Sequence, residues 1–315
     1  MKTWKTDLHF PYIGSGPYCY TNSIAMMLGE RSPRTAVIEF ATSSPFGMQL
    51  IGGTLPFFDP YGWTPEATID HALAVMGFTA EVVNGKDADD ALSHLEAALE
   101  NGPALVGPVE MGHLRYQPGK NGAIGADHYL VVLAVDGGRV LMHDPQGYPY
   151  ASLPLDDFMD AWRAETIDYG SPFTMRTAFR QVRDVPEEEI IRASIPAAIR
   201  WLSMDGSHDL PAGSLGNGDA AERLAERIEA GCDSELRDDL IHFLIRVGTR
   251  RVADAATCLA RVGHGQASQI AAEQAKLIGL LQYLLVVGED ATTASVLREL
   301  APTYDRLREA LINQL

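Results

Sequence analysis

Apolar and polar positions alternate on two different periods along this chain, and the change falls near residue 185. Before it, short β-branched or alternating runs are interleaved with amphipathic stretches. After it, the apolar spacing is helical. Residues 4–13 alternate loosely and predict a short first strand. Residues 23–28 predict a buried helix, with Ile24, Met27 and Leu28 at core spacing and Gly29 as the stop. Residues 41–62 follow neither period. They are rich in Ser, Gly, Pro and Phe and read as a long apolar loop of the kind that lines or covers a site. Thr64-Pro65-Glu66 is a helix start, an N-cap followed by proline at the first helical position, and Ile69, Leu73 and Met76 fall on one face. A strand over 78–83, a helix over 87–100 ended by Asn101-Gly102-Pro103, and a buried strand over 104–109 follow. The stretch 110–127 is irregular, with four glycines. Residues 128–135 and 139–143 flank Asp136-Gly137-Gly138, a strong hairpin signal. A short helix over 154–162 and a strand over 174–182 complete this part.

Beyond Val185-Pro186-Glu187 no strand is expected. Residues 207–218 read as a loop, and 219–230, 234–247, 250–262, 266–287 and 292–313 as helices separated mostly by glycines. The prediction is an α+β protein of two domains: residues 1–185 around an antiparallel sheet, and residues 186–315 all helical.

With 46% hydrophobic and 21% charged residues, the chain can bury a full core. Its net charge of −17 is spread along the length without an acidic tail. That excludes nucleic acid and anionic membranes as partners held by bulk electrostatics. Of Cys19, Cys232 and Cys258 at most two can pair, and none forms a CxxC. The pattern suits a reducing compartment and offers no zinc spacing. No apolar run follows the first seven residues, and the longest one, 277–287, is interrupted by Gln282. A cytoplasmic protein without signal peptide or membrane span is expected.

The chemistry concentrates at three positions. Cys19 follows Ser15-Gly16-Pro17-Tyr18 and opens the first helix. There the unpaired N–H groups of the first turn favour a thiolate and can hold an oxyanion. His128 opens one strand of the hairpin, and Asp144 ends its partner in His143-Asp144-Pro145. The hairpin turn brings those two together whatever their role. Cys19, His128 and Asp144 read as nucleophile, base and orienter. His113 and Tyr116, in the irregular stretch, are candidates for lining a substrate pocket. His143 should face away from Asp144 and is read as structural. Phe57, Phe58, Tyr61 and Trp63 are candidates for an apolar wall, and Arg246, Arg250 and Arg251 for a small basic dock. No metal or other cofactor is expected.

Pro17-Tyr18-Cys19 before an apolar helix, Asp127-His128-Tyr129-Leu130-Val131-Val132, and His143-Asp144-Pro145 with Gly147 together resemble the papain-like clan. The order Cys, His, Asp is that of the bacteriocin-leader, or C39-like, peptidases. Gly107-Pro108-Val109 with Met111-Gly112-His113-Leu114, and Ala161-Trp162-Arg163-Ala164-Glu165, look like the N-terminal domain of BtrH-type acyltransferases of butirosin biosynthesis. The resemblance covers about residues 8–183. It implies a papain-like N-terminal domain and acyl transfer through a thioester on Cys19, with His128 moving the proton and Asp144 holding the ring. Papain-like enzymes carry a glutamine shortly before the cysteine, and no glutamine precedes Gln49 here. Asn22, Ser15 and Tyr18 are the candidates for that oxyanion donor.

The expected function is cysteine-dependent acyl transfer, or amide or thioester hydrolysis, on a small molecule or peptide, with an acyl carrier protein as a candidate partner. The alternatives are a stand-alone C39-like peptidase and a catalytically silent papain-like module that binds a peptide or carrier. The helical domain is a candidate homodimer surface.

Overall fold

The computed structural model describes residues 18–205 and 210–314. In chain order the elements are helices α1 (Cys19–Leu28) and α2 (Thr35–Ala41), strands β1 (Gln49–Ile51) and β2 (Leu55–Phe57), helix α3 (Pro65–Val75), strand β3 (Phe78–Asn84), helix α4 (Ala88–Leu99), and strands β4 (Ala104–Glu110), β5 (Asp127–Asp136), β6 (Arg139–Asp144) and β7 (Tyr148–Pro154). Helix α5 (Leu155–Arg163) and strand β8 (Thr174–Gln181) follow, then α6 (Glu187–Leu202), the short β9 (Leu215–Gly216), α7 (Asn217–Glu229), α8 (Ser234–Asp239), α9 (Ile245–Arg261), α10 (Gly265–Val286), α11 (Asp290–Leu300) and α12 (Thr303–Ile312). The class is α+β with antiparallel sheets and a helical C-terminal region. Among the described residues no helix is long and apolar enough to cross a membrane.

The described chain divides into two compact units, 18–38 with 64–185, and 39–63 with 186–314. The first holds a six-stranded antiparallel sheet in the order β3-β8-β4-β5-β6-β7. On one face, β4, β5 and β6 send Val106, Leu130, Val132 and Met142 against Phe158 and Trp162 of α5 and Leu95 of α4, all fully buried. Each such large side chain contributes roughly 1.5–3 kcal/mol of burial. On the other face, the Tyr129 ring meets Tyr20 of α1 edge to face, with centroids 6.0 Å apart. That ring lies flat over Gly107, where a Cβ would come within 2.3 Å of it, so only glycine fits. Helix α3 is fixed to this face by the buried Arg176 of β8, which binds Glu66 at 2.8 and 2.9 Å and Asp70 at 2.9 Å. Thr64 caps α3 as its sequence predicts, its side chain accepting from the Ala67 N–H.

The second unit departs most from expectation. Residues 41–62 are more than the expected loop. They supply β1 and β2, which pair with β9 in a three-stranded antiparallel sheet, with Phe46, Met48 and Leu50 fully buried. The expected cut at residue 185 therefore leaves 39–63 on the wrong side, because this segment belongs with the C-terminal helices. Asn217 ties it in: its N–H donates to the Met48 carbonyl at 2.7 Å. Arg251 on α9 reaches Glu39 at 2.7 Å and Asp59 at 3.0 Å inside the unit. Helices 234–247 and 250–262 were expected to separate; instead α8, a π-helical turn over 240–244 and α9 run on without a break. Gly248 is there for packing, since a Cβ would sit 2.5 Å from Phe58. Conversely, the expected helix over 292–313 is two, divided before Pro302. Helix α6, α2 and strand β7 were not anticipated, and β9 is a strand beyond residue 185. The expected strand over 4–13 lies outside the described residues.

Candidate functional site

The β5–β6 hairpin sets the site. Its register places Val131 opposite His143 and Val132 opposite Met142, so His128 and Asp144 are diagonal neighbours on one face at the open end of the hairpin. His128 is fully buried, and its Nε2 lies 2.9 Å from Asp144 Oδ1. A carboxylate there accepts, so Nε2 carries a proton, and Nδ1 is the nitrogen turned away from Asp144. Nδ1 has no hydrogen-bond partner among the described residues. Such an atom is rare in a folded interior.

Asp144 is held by more than His128. Its Oδ1 also accepts from the Gln146 N–H at 2.7 Å, and its Oδ2 accepts from the Tyr116 hydroxyl and the Gln117 amide, both at 2.8 Å. Burial works against the charge, but these donors, with His128 foremost, hold the carboxyl below the usual aspartate range. Tyr116 is driven the other way, first by burial and then by the charge on Asp144, so it remains a hydroxyl donor. Arg115 of the same segment pairs with Asp157 on α5 at 3.2 Å.

The segment carrying Tyr116 and Gln117 is organised by a second buried carboxylate. Glu110, at the end of β4, accepts from the N–H groups of Gly112, Ile124 and Gly125 at 2.9, 3.1 and 2.9 Å, and from the Thr166 hydroxyl. Burial opposes its charge too, and these four donors outweigh it and lower the pKa. The glycine-rich stretch is thus folded around one anion.

Cys19 is a half-buried thiol at the first position of α1, and Tyr18 gives that helix no side-chain cap. One turn further on, Ser23 Oγ donates to the Tyr129 carbonyl at 3.3 Å, tying α1 to β5 beside His128. Cys19 also acts electrostatically on Tyr169, whose hydroxyl donates to Asp127 Oδ2 at 2.6 Å. Burial, then the Asp127 charge, push the Tyr169 phenol well up. Alternation along β5 gives Asp127 and Tyr129 to the α1 side and His128 to the side of Leu130 and Val132. Through Tyr169 and Asp127, Cys19 thus lies at the end of β5 that His128 opens.

Of the other predicted residues, Tyr116 stands behind Asp144 as a donor, and His113 takes no part in this network among the described residues. Asn22 lies one turn along from Cys19, its N–H donating to the Tyr18 carbonyl at 2.8 Å, and Tyr18 is buried. Ser15 lies outside the described residues. His143 points to the opposite face from Asp144, as predicted, and accepts from the Tyr150 N–H at 3.0 Å. Phe57, Phe58, Tyr61 and Trp63 fall in the second unit, where the Trp63 indole donates to the Thr42 carbonyl at 2.8 Å. The three arginines do not form a patch: Arg251 is buried on Glu39 and Asp59, and Arg250 pairs with Asp254 at 3.7 Å. Gln117, Glu110 and Tyr169 were missed. The signal for Gln117 was indirect: a buried Asp needs donors, and the preceding irregular stretch holds the nearest polar side chains.

Comparison with known proteins extends the description to the whole length. Residues 211–312 match the family model of the YobF C-terminal domain, which covers α7 to α12. The chain is 29% identical over 307 residues to the uncharacterized protein YobF of Bacillus subtilis (strain 168), covering 96% of this chain and 98% of that protein. The similarity thus spans both units, in a relative of the same length.

Proposed function

We propose that the first unit is a cysteine-dependent acyl-transfer or hydrolytic centre built on Cys19, His128 and Asp144. The observation that carries the reading is the fully buried His128, fixed by Asp144 through Nε2 and with Nδ1 unpartnered among the described residues. A buried imidazole so oriented is suited to move a proton, and a thiol at a helix N-terminus at the same end of β5 is suited to receive an acyl group. In the reaction, Nδ1 takes the thiol proton as the sulfur attacks a thioester or amide carbonyl. The proton then passes to the departing thiol or amine. In the second step Nδ1 takes a proton from an acceptor amine or water, which attacks the acyl-cysteine and releases the sulfur. Asp144, kept ionised, holds the ring tautomer and balances the imidazolium. A papain-like or BtrH-like relationship belongs to this same proposal.

Iodoacetamide labelling of Cys19 against pH is the test. Labelling at neutral pH should exceed that of an ordinary thiol by about tenfold or more, through a depressed thiol pKa, and His128→Ala should abolish the excess. Proximity is read directly by 1,3-dibromoacetone, which should bridge Cys19 to His128 in a single cross-linked peptide. A Cys19 that labels like a solvent thiol and forms no bridge defeats the proposal. Intact-mass trapping then assigns the chemistry: an acyl adduct from a thioester donor marks transfer, and cleavage of peptides without thioester use marks a peptidase.

A further inference from the structure

Helices α8, α9 and α10 of the second unit leave an apolar face with opposite charges at its two ends. Phe243 (42% exposed) leaves the π-helical turn between α8 and α9, and Tyr283 (71%), Val286 (59%) and Val287 (47%) leave the end of α10. The two rods are antiparallel neighbours: Arg237 reaches the Leu285 carbonyl at 2.7 Å and Gln282 reaches the Ile241 carbonyl at 3.1 Å. These contacts bring the α10 residues beside Phe243. Asp239, Phe243 and Arg246 are all exposed and follow one another as a stripe along this rod, before, within and after the π-helical turn. Asp239 is exposed at one end of that stripe, next to Glu235 and Asp238, and Arg246 is exposed at the other. Arg246 donates to the His242 carbonyl at 3.1 Å and has no carboxylate partner among the described residues. Burial, then Glu235, Asp238 and Asp233, push the Asp239 carboxyl up.

We propose that this face pairs with a second copy of the chain about a two-fold axis near Phe243, with Asp239 of each protomer meeting Arg246 of the other. The charge order selects the occupant. Acid, apolar centre, base is self-complementary only when the stripe is laid against itself in the reverse direction, which is what a two-fold axis does.

Sedimentation velocity of the full chain tests this, with circular dichroism confirming that each variant is folded. A dimer is expected at or below about 100 µM. Asp239→Arg and Arg246→Asp, each alone, set like charges against each other and should weaken it at least tenfold. Mixing the two single variants should restore association as a heterodimer, and the double reversal should restore the homodimer. Tyr283→Glu should also weaken the dimer at least tenfold. A chain that stays monomeric at that concentration, a dimer indifferent to Tyr283→Glu, or single reversals that fail to complement on mixing would overturn the pairing.

Discussion

Two groups of buried charge are built on opposite plans. In the helical unit, Arg251 is clamped between Glu39 and Asp59, and its guanidinium lies over the Trp63 ring at 5.4 Å. Asp59 in turn accepts from Gln49 at 2.6 Å, and Glu39 from Ser44 at 2.6 Å. In the sheet unit, Asp144 is as well supplied with donors, but the group it faces is an imidazole, and one ring nitrogen is left over among the described residues. A guanidinium never deprotonates in this setting, so the first group can only hold structure. An imidazole can both give and take a proton, so the second group is suited to chemistry. Burial and hydrogen-bond partners do not separate the two; the identity of the group facing the carboxylate does.

Arg251→Met should break this contrast hardest. It leaves two carboxylates buried without their cation, and a loss of about 3–5 kcal/mol is expected in chemical denaturation, with Cys19 labelling of the folded fraction unchanged. Glu110→Gln comes next, at about 1.5–3 kcal/mol. It turns an amide NH2, a donor, toward N–H groups that need an acceptor, and amide exchange at Ile124 and Gly125 should accelerate ahead of the sheet. Gln117→Leu should cost about 0.5–1.5 kcal/mol at neutral pH and carry a pH signature. Asp144 has its pKa lowered on folding, so it adds stability above the ordinary aspartate value, and this is lost as pH falls through the folded value. Removing one donor raises that folded value, so the acid-unfolding midpoint should move to higher pH. A midpoint that stays or falls would show that Gln117 does not support the ionised form. Thr64→Ala is the small control, at about 1 kcal/mol from a lost N-cap on α3, seen as a shift in denaturation midpoint with both charge groups untouched.

What could be read in the sequence was what local rules govern. The Thr64-Pro65 start, the helix begun at Asp87 and the Asp136-Gly137-Gly138 turn depend on a few residues each, and each appears where predicted. The hairpin also delivered His128 to Asp144. The failures share a cause of another kind. Gly248 looked like a helix break because glycine breaks helices locally, but its reason is Phe58, far away in the chain. Residues 41–62 looked like a loop because β1 and β2 are three residues each and gain their pairing from β9. Gln117 carries no motif; only the folded path of the segment around Glu110 brings it to Asp144. Cys19 was legible as a helix-opening thiol, whereas its neighbour Tyr169 was not, since the segment after α5 returns to the end of β5 only in three dimensions.

The stretch 39–63 also imposes an order of events on synthesis. Asn217, whose side chain accepts from the Met48 N–H, is 169 residues further along. Emerging from the ribosome first, this stretch has to wait, at ~5–20 residues per second, some ten to thirty seconds for the helices that will cover it. During that wait Phe46, Met48 and Leu50 have no home, and chaperone capture of the nascent chain should peak in that interval and subside once Arg251 has emerged.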